Sequence, residues 1–111
     1  MNDFTDVKLE IFVPETHVPQ VCDALAEVGV GVIGHYDHCF AISQAQGSFR
    51  PLPGAKPFNG NVGEVTYSVE SKIEVNCRRE LVKEALSAIR RAHPYEEPLI
   101  NIFPLVNHLF K

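Results

Sequence analysis

The sequence predicts an α+β sandwich, an antiparallel four-stranded sheet carrying two helices on one face in the order β-α-β-β-α-β. Three observations lead there. Two stretches, at 7–13 and 65–76, alternate apolar and polar residues with period two, as half-buried strands do. Two others, at 18–28 and 81–92, repeat apolar residues with helical spacing, and each follows such a strand. Finally, 111 residues with 45% hydrophobic and 22% charged content make one ordinary globular domain, 1–111, rather than a disordered chain. Such a chain buries about two thirds of its unfolded surface, enough for a single core.

In the first strand Val7, Leu9, Ile11 and Val13 alternate with Lys8, Glu10 and Phe12, and Pro14, lacking an N–H for the ladder, closes it. From about Glu15 the period turns helical, with Val18, Val21, Cys22, Leu25 and Val28 on one stripe. Pro19 fits the first turn, where its missing N–H has no intrahelical partner, and Gly29 suits the left-handed position just past the end. Gly29, Gly31 and Gly34 punctuate the next turn. Residues 36–51 then read either as one long strand bulged at Gly47 or as a tight hairpin. Three prolines and three glycines between Pro51 and Gly63 make a structured loop.

In the strand after the loop, Val65, Tyr67, Val69, Ile73 and Val75 are expected on a buried face, with only Ser71 breaking the alternation. The second helix carries Leu81, Val82, Ala85, Leu86, Ile89 and Ala92 on its apolar face. Arg90 and Arg91 complement the dipole at its end. His93 precedes Pro94 and is pushed out of helical geometry, so the helix stops there. Ile100, Ile102, Phe103 and Leu105 form a last strand whose bounding prolines, Pro98 and Pro104, make it short or place it at an edge. This succession is the ferredoxin-like arrangement, with crossovers of fixed hand.

Composition narrows the function classes. Ten basic against fourteen acidic residues give a net charge of −4, which argues against a general nucleic-acid or anionic-membrane binder. There is no apolar run approaching the roughly 20 residues that span a bilayer. The opening residues, Met1 to Asp6, have neither a basic nor an apolar signal region, so no signal peptide is expected. Cys22, Cys39 and Cys77, odd in number and scattered, read as reduced thiols of a cytoplasmic protein.

Two stretches carry a family resemblance. Ala92-His93-Pro94-Tyr95-Glu96-Glu97-Pro98 resembles the His-Pro-Tyr-Glu segment before the late strand of CutA-like proteins. The second runs from Gly34-His35-Tyr36-Asp37-His38-Cys39 through Gly47-Ser48-Phe49-Arg50-Pro51 and Gly54-Ala55-Lys56-Pro57-Phe58 to Gly60 and Gly63. It looks like the YqfO-type domain, a CutA/PII-like module inserted in Nif-three-like proteins. Together they span Val7 to Leu105. The resemblance implies a CutA/PII-like ferredoxin fold that assembles as a trimer. In the larger family the module interrupts a dinuclear-metal domain, for which this chain has no room, so that site is not carried over. The chain has no Trp, and Phe49-Arg50-Pro51 stands where CutA has its Trp-containing segment.

The candidate chemistry lies in histidine and cysteine. His35, His38, Cys39 and His93, with Glu96 or Glu97 near in sequence, form a mixed N/S/O set suited to Zn²⁺ or copper. In an extended segment 35 and 38 point to opposite faces, so a shared site needs a turn at 34–37, a contribution from His93, or a neighbouring subunit. The alternative is that these residues pack and hydrogen-bond at a loop or subunit boundary. The PII-like plan also suggests an anion site, with Arg50 and Lys56 flanking the long loop. No Walker sequence is present, and Gly29-Val-Gly31-Val-Ile-Gly34 follows a helix instead of a strand, the reverse of a dinucleotide fingerprint. Cys39 beside His38 lacks a third orienting group, so no catalytic residue is expected.

The apolar C-terminal run Phe103, Leu105, Val106, Leu109, Phe110 and the open sheet edges favour closed self-association. The expectation is a non-catalytic oligomeric binding or sensing domain, with a transition-metal ion as the small partner. A module docking on a separate protein subunit is the alternative, and a small hydrolase the third.

Overall fold

The computed structural model describes residues 3–110. Strands β1 (Asp6–Val13), β2 (Ala41–Phe49), β3 (Thr66–Arg78) and β4 (Leu99–Leu105) form one sheet in the order β2-β3-β1-β4. Every neighbouring pair is antiparallel. Helices α1 (Val18–Glu27) and α2 (Val82–Ala92) each follow a strand through a short 3₁₀ turn, Glu15–His17 and Arg79–Leu81. The expected ferredoxin-like order is met.

Register explains why both helices share a face. Leu9 lies opposite Val75 and Ile102, and Ile11 opposite Ile73 and Ile100, so the odd residues of β1 and β3 point one way. They form a single core with Val21, Cys22 and Leu25 of α1 and Ala85 and Ile89 of α2. Leu9, Ile11, Leu25, Ile73 and Ile89 are fully buried, each stabilising the fold by about 1.5–3 kcal/mol relative to exposure. Pro19 occupies the first turn of α1, and Gly29, just past its end, takes a φ of +87° that a β-carbon would disfavour. His93 leaves the helical region at φ −84°, ψ 133°, as the following proline requires.

Three local expectations change. First, the stretch 36–51 is neither bulged nor a hairpin: β2 is one strand of nine residues paired to β3 in unbroken register, with Gly47 opposite Ser68. Residues before it turn tightly, Ile33 and Tyr36 exchanging backbone hydrogen bonds of 2.9 and 3.0 Å. Second, Ser71 does not interrupt the pattern; it lies on the inner face and is buried. Third, Val65, Tyr67 and Val69 are exposed, not buried. The reason is length. β1 pairs with β3 only from Ser71 to Arg78, so Thr66–Glu70 and their partners Ala45–Phe49 run on past it as a two-stranded arm.

The opposite sheet face carries a polar strip. Lys8 Nζ lies 2.8 Å from a Glu74 oxygen, Lys72 reaches Glu10 and Glu74 at 3.9 Å, and Asn101 donates to Glu10 at 3.2 Å. The Lys8 hydrogen bond holds the Glu74 carboxyl below its ordinary range. β4 is an edge strand, as its prolines predicted, with Pro104 opposite Val7. Leu109 and Phe110 of the final turn are exposed, as are Phe103 and Val106.

Candidate functional site

The break at Pro94 ends α2 at the rim of the sheet and turns the His93 ring inward. Its Nε2 lies 2.6 Å from the Phe12 carbonyl, and its Nδ1 accepts the Tyr95 N–H at 3.1 Å. These partners require the neutral ring with its proton on Nε2. Burial holds its pKa below the ordinary value, despite the opposing Phe12 bond. With both nitrogens engaged, His93 is a strut between β1 and the α2–β4 connection and has no free nitrogen to abstract a proton from a ligand.

That strut fixes Tyr95. Its ring packs 4.9 Å from His93, 6.4 Å from Phe49 and 6.1 Å from Phe58, all centroid to centroid. The Tyr95 hydroxyl donates to the Glu70 carboxylate of β3. Burial pushes the Glu70 carboxyl up, partly offset by that bond; burial and the Glu70 charge push the Tyr95 phenol up as well. Glu70 leans across β2 at Gly47, where a β-carbon would collide with its carboxylate oxygen. Gly47, expected to mark either a bulge or a hairpin, is a gap left for this side chain.

The loop after β2 completes the site. Gly63 N–H bonds to the Pro51 carbonyl at 2.8 Å, closing its base, and Lys56 N–H donates to Glu96 at 3.2 Å. Between loop, arm and the Tyr95–Glu97 segment lies a cleft of about 530 Å³. Phe12, Phe49, Phe58, Tyr95 and Leu99 give it apolar walls, and Glu70, Glu96, Glu97 and Arg50 supply its charge. No cysteine or histidine lines it.

The sequence-derived candidates divide between two places. Glu96 and Arg50 line the cleft, whereas Lys56 does not, its N–H being used on Glu96. His35, His38 and Cys39 lie instead on the turn after α1. His38 takes a positive φ of 55°, with Nδ1 3.1 Å from Asp37 and Nε2 3.4 Å from Asp23, and the Asp37 bond in particular raises its pKa. The Cys39 thiol points to the Tyr36 and Asp37 carbonyls at 3.7 and 3.6 Å. His93 is held on Phe12 and shares no partner with them. Among the described residues no three His, Cys, Asp or Glu side chains converge to hold a metal ion. The mixed set is therefore not assembled within one protomer. Glu70, Tyr95 and Phe58 were missed as site residues; the available signals were a glycine in mid-strand for Glu70 and, for Tyr95 and Phe58, their place in the two stretches that carry the family resemblance.

No protein-family model matches the chain. It is 40% identical over 100 residues to a Halalkalibacterium halodurans protein named GTP cyclohydrolase 1 type 2 homolog, covering 90% of this chain and 27% of that protein. A Bacillus subtilis protein of the same name is 42% identical over 98 residues, covering 88% and 26%. The chain thus spans about a quarter of the length of these curated relatives. A Bacillus cereus protein related to NIF3 superposes with a TM-score of 0.81 at 35% identity, over 94% of this chain and 26% of that one. The periplasmic divalent cation tolerance protein CutA of Archaeoglobus fulgidus superposes at 0.68 with 18% identity, covering 91% and 84%. Arabidopsis thaliana PII bound to citrate gives 0.63 at 19% identity, covering 95% and 81%.

Proposed function

We propose a non-catalytic binding role for this chain, which is a CutA/PII-like domain related in sequence to a segment of NIF3-related proteins. The observation that supports this reading is the meeting of two segments far apart in sequence, 45–59 and 95–99, around one cleft that no cysteine or histidine lines. A rigid sheet floor with a loop wall is the ordinary construction of a small-ligand site. NMR mapping of amide shifts against a mixed panel of small cations, anions, nucleotides and neutral compounds tests it. Shifts at Gly47, Phe58 and Tyr95 without turnover are expected; turnover, or a panel that leaves the cleft untouched, overturns it.

The domain acts as a homo-oligomer in this reading. β2 is an edge strand with no charged residue and no proline from Ala41 to Phe49, and its arm exposes Tyr67 and Val69, with Val65 exposed just before it. Unprotected edges and apolar patches of this kind are covered by self-association, for which the fold suggests three copies. Light scattering that gave a monomer at tens of micromolar would remove this part. Transition-metal binding is a second proposal, confined to the assembled state, because His35 and His38 are exposed and Cys39 half-buried on a turn where another protomer would have to supply further ligands. Zinc and copper titrations with no site tighter than millimolar reject it, leaving docking on a separate protein as the alternative role.

A further inference from the structure

The cleft has a definite chemical bias. The Phe49 and Phe58 rings tilt by 48° and 52° to that of Tyr95, so the three form a concave aromatic wall instead of a stack. Aromatic faces are negative by their quadrupoles and attract cations, most strongly where water is excluded. Three carboxylates, Glu70, Glu96 and Glu97, share the lining with a single cation, Arg50. Glu70 is the decisive one. It is half-buried and hydrogen-bonded by Tyr95, lies in the space left by the missing side chain of residue 47, and faces no lysine or arginine across β2, where Ala45 is its partner. An anion such as a nucleotide phosphate would meet net negative charge here, and the Lys56 N–H, a donor suited to it, is turned to Glu96.

We propose that this cleft takes a small organic ammonium ion, its charge set against the Phe49, Phe58 and Tyr95 rings and balanced by Glu70. The inference rests on reading the cleft as the ligand site and names the ligand's chemistry. A volume of about 530 Å³ admits a quaternary ammonium head with a short tail. Phe58, on the loop and packed against Tyr95 and His17, forms the outer side of the site, while Glu70 and Tyr95 form its floor on the sheet and its rim.

Choline chloride titrated into the full chain near neutral pH, followed by amide NMR, tests the proposal. Its uncharged isostere 3,3-dimethyl-1-butanol and sodium acetate at equal ionic strength are the controls. Choline should move the Gly47, Phe58 and Tyr95 amides and bind at least about tenfold more tightly than the isostere. Phe58→Leu, a change at an exposed loop position, and Glu70→Gln should each weaken choline about fivefold while leaving the rest of the spectrum unchanged. Equal affinity for the isostere overturns the ammonium proposal and leaves the cleft a ligand site for neutral compounds. Acetate binding in its place overturns it in favour of an anion, and no response to choline overturns it outright.

Discussion

Replacing His93 is the most direct test of the strut that fixes the site. The ring is 6% exposed and bonds the Phe12 carbonyl and the Tyr95 N–H at once. His93→Ala leaves both groups without partners, and each such orphan costs about 1–3 kcal/mol. Water reaching the pair from the neighbouring cleft offsets part of this, so the expected loss is about 3 kcal/mol. His93→Gln can restore the bond to Phe12 but not the one from Tyr95, and should lose about half as much. The histidine also confers a pH dependence. Burial holds the folded pKa below the 6.5 of a free imidazole, so the unfolded chain takes up a proton first as pH falls. Stability should decline from about pH 6.5 down to the folded pKa and level off below it, with a slope of at most about 1.4 kcal/mol per pH unit. Urea unfolding at fixed protein concentration, at several pH values for the three proteins, reads both effects. A His93→Ala loss under about 0.5 kcal/mol refutes the strut. Curves that fall in parallel with pH for wild type and variant refute the assignment of the neutral ring.

Three further outcomes are expected. Gly47→Ala puts a methyl group against the Glu70 carboxylate, the far end of a flexible side chain, so stability should change by less than about 1 kcal/mol. The displaced carboxylate no longer raises the Tyr95 phenol, and ultraviolet titration should show one tyrosine ionising at lower pH than in wild type; an unchanged titration contradicts the Glu70–Tyr95 pairing. Val69→Lys places a charge on the exposed arm and should shift light scattering toward smaller species with an unaltered circular dichroism spectrum. If the assembly size stays the same, the arm is not its contact. Burial pushes the Cys22 and Cys77 thiols up to about 11, with smaller contributions from nearby acidic residues, whereas Cys39 lies on the turn. One thiol per chain should therefore alkylate quickly under mildly alkaline conditions, and Cys39→Ser should abolish that fast phase; two fast thiols would contradict the burial.

Much of the architecture could be read from local patterns. Alternation in β1 and β3 and the stripes of α1 and α2 each depend on one element's own period, and a buried face must carry apolar side chains wherever it lies in the chain. Proline and glycine acted at single positions, ending α2 before Pro94 and closing α1 at Gly29, because their backbone limits need no distant partner. The same local logic failed at Tyr67 and Val69. Their spacing is that of a buried face, but whether that face is covered depends on where β1 ends. Likewise β2, polar and glycine-bearing, shows little alternation of its own and is held by its ladder to β3.

Sequence by itself determined β1, β3, β4 and both helices, their order and the inner faces of β1 and the helices, since these follow from side-chain period and backbone restriction over a few residues; β2 it left open between a strand and a hairpin. Tertiary structure alone decided the site. It separated His38 and Cys39 from His93, and it brought Glu70, Tyr95 and Phe58 together from a strand, a helix exit and a loop. Contacts between residues distant along the chain arise from sheet register and loop closure, and neither leaves a periodic mark on the sequence.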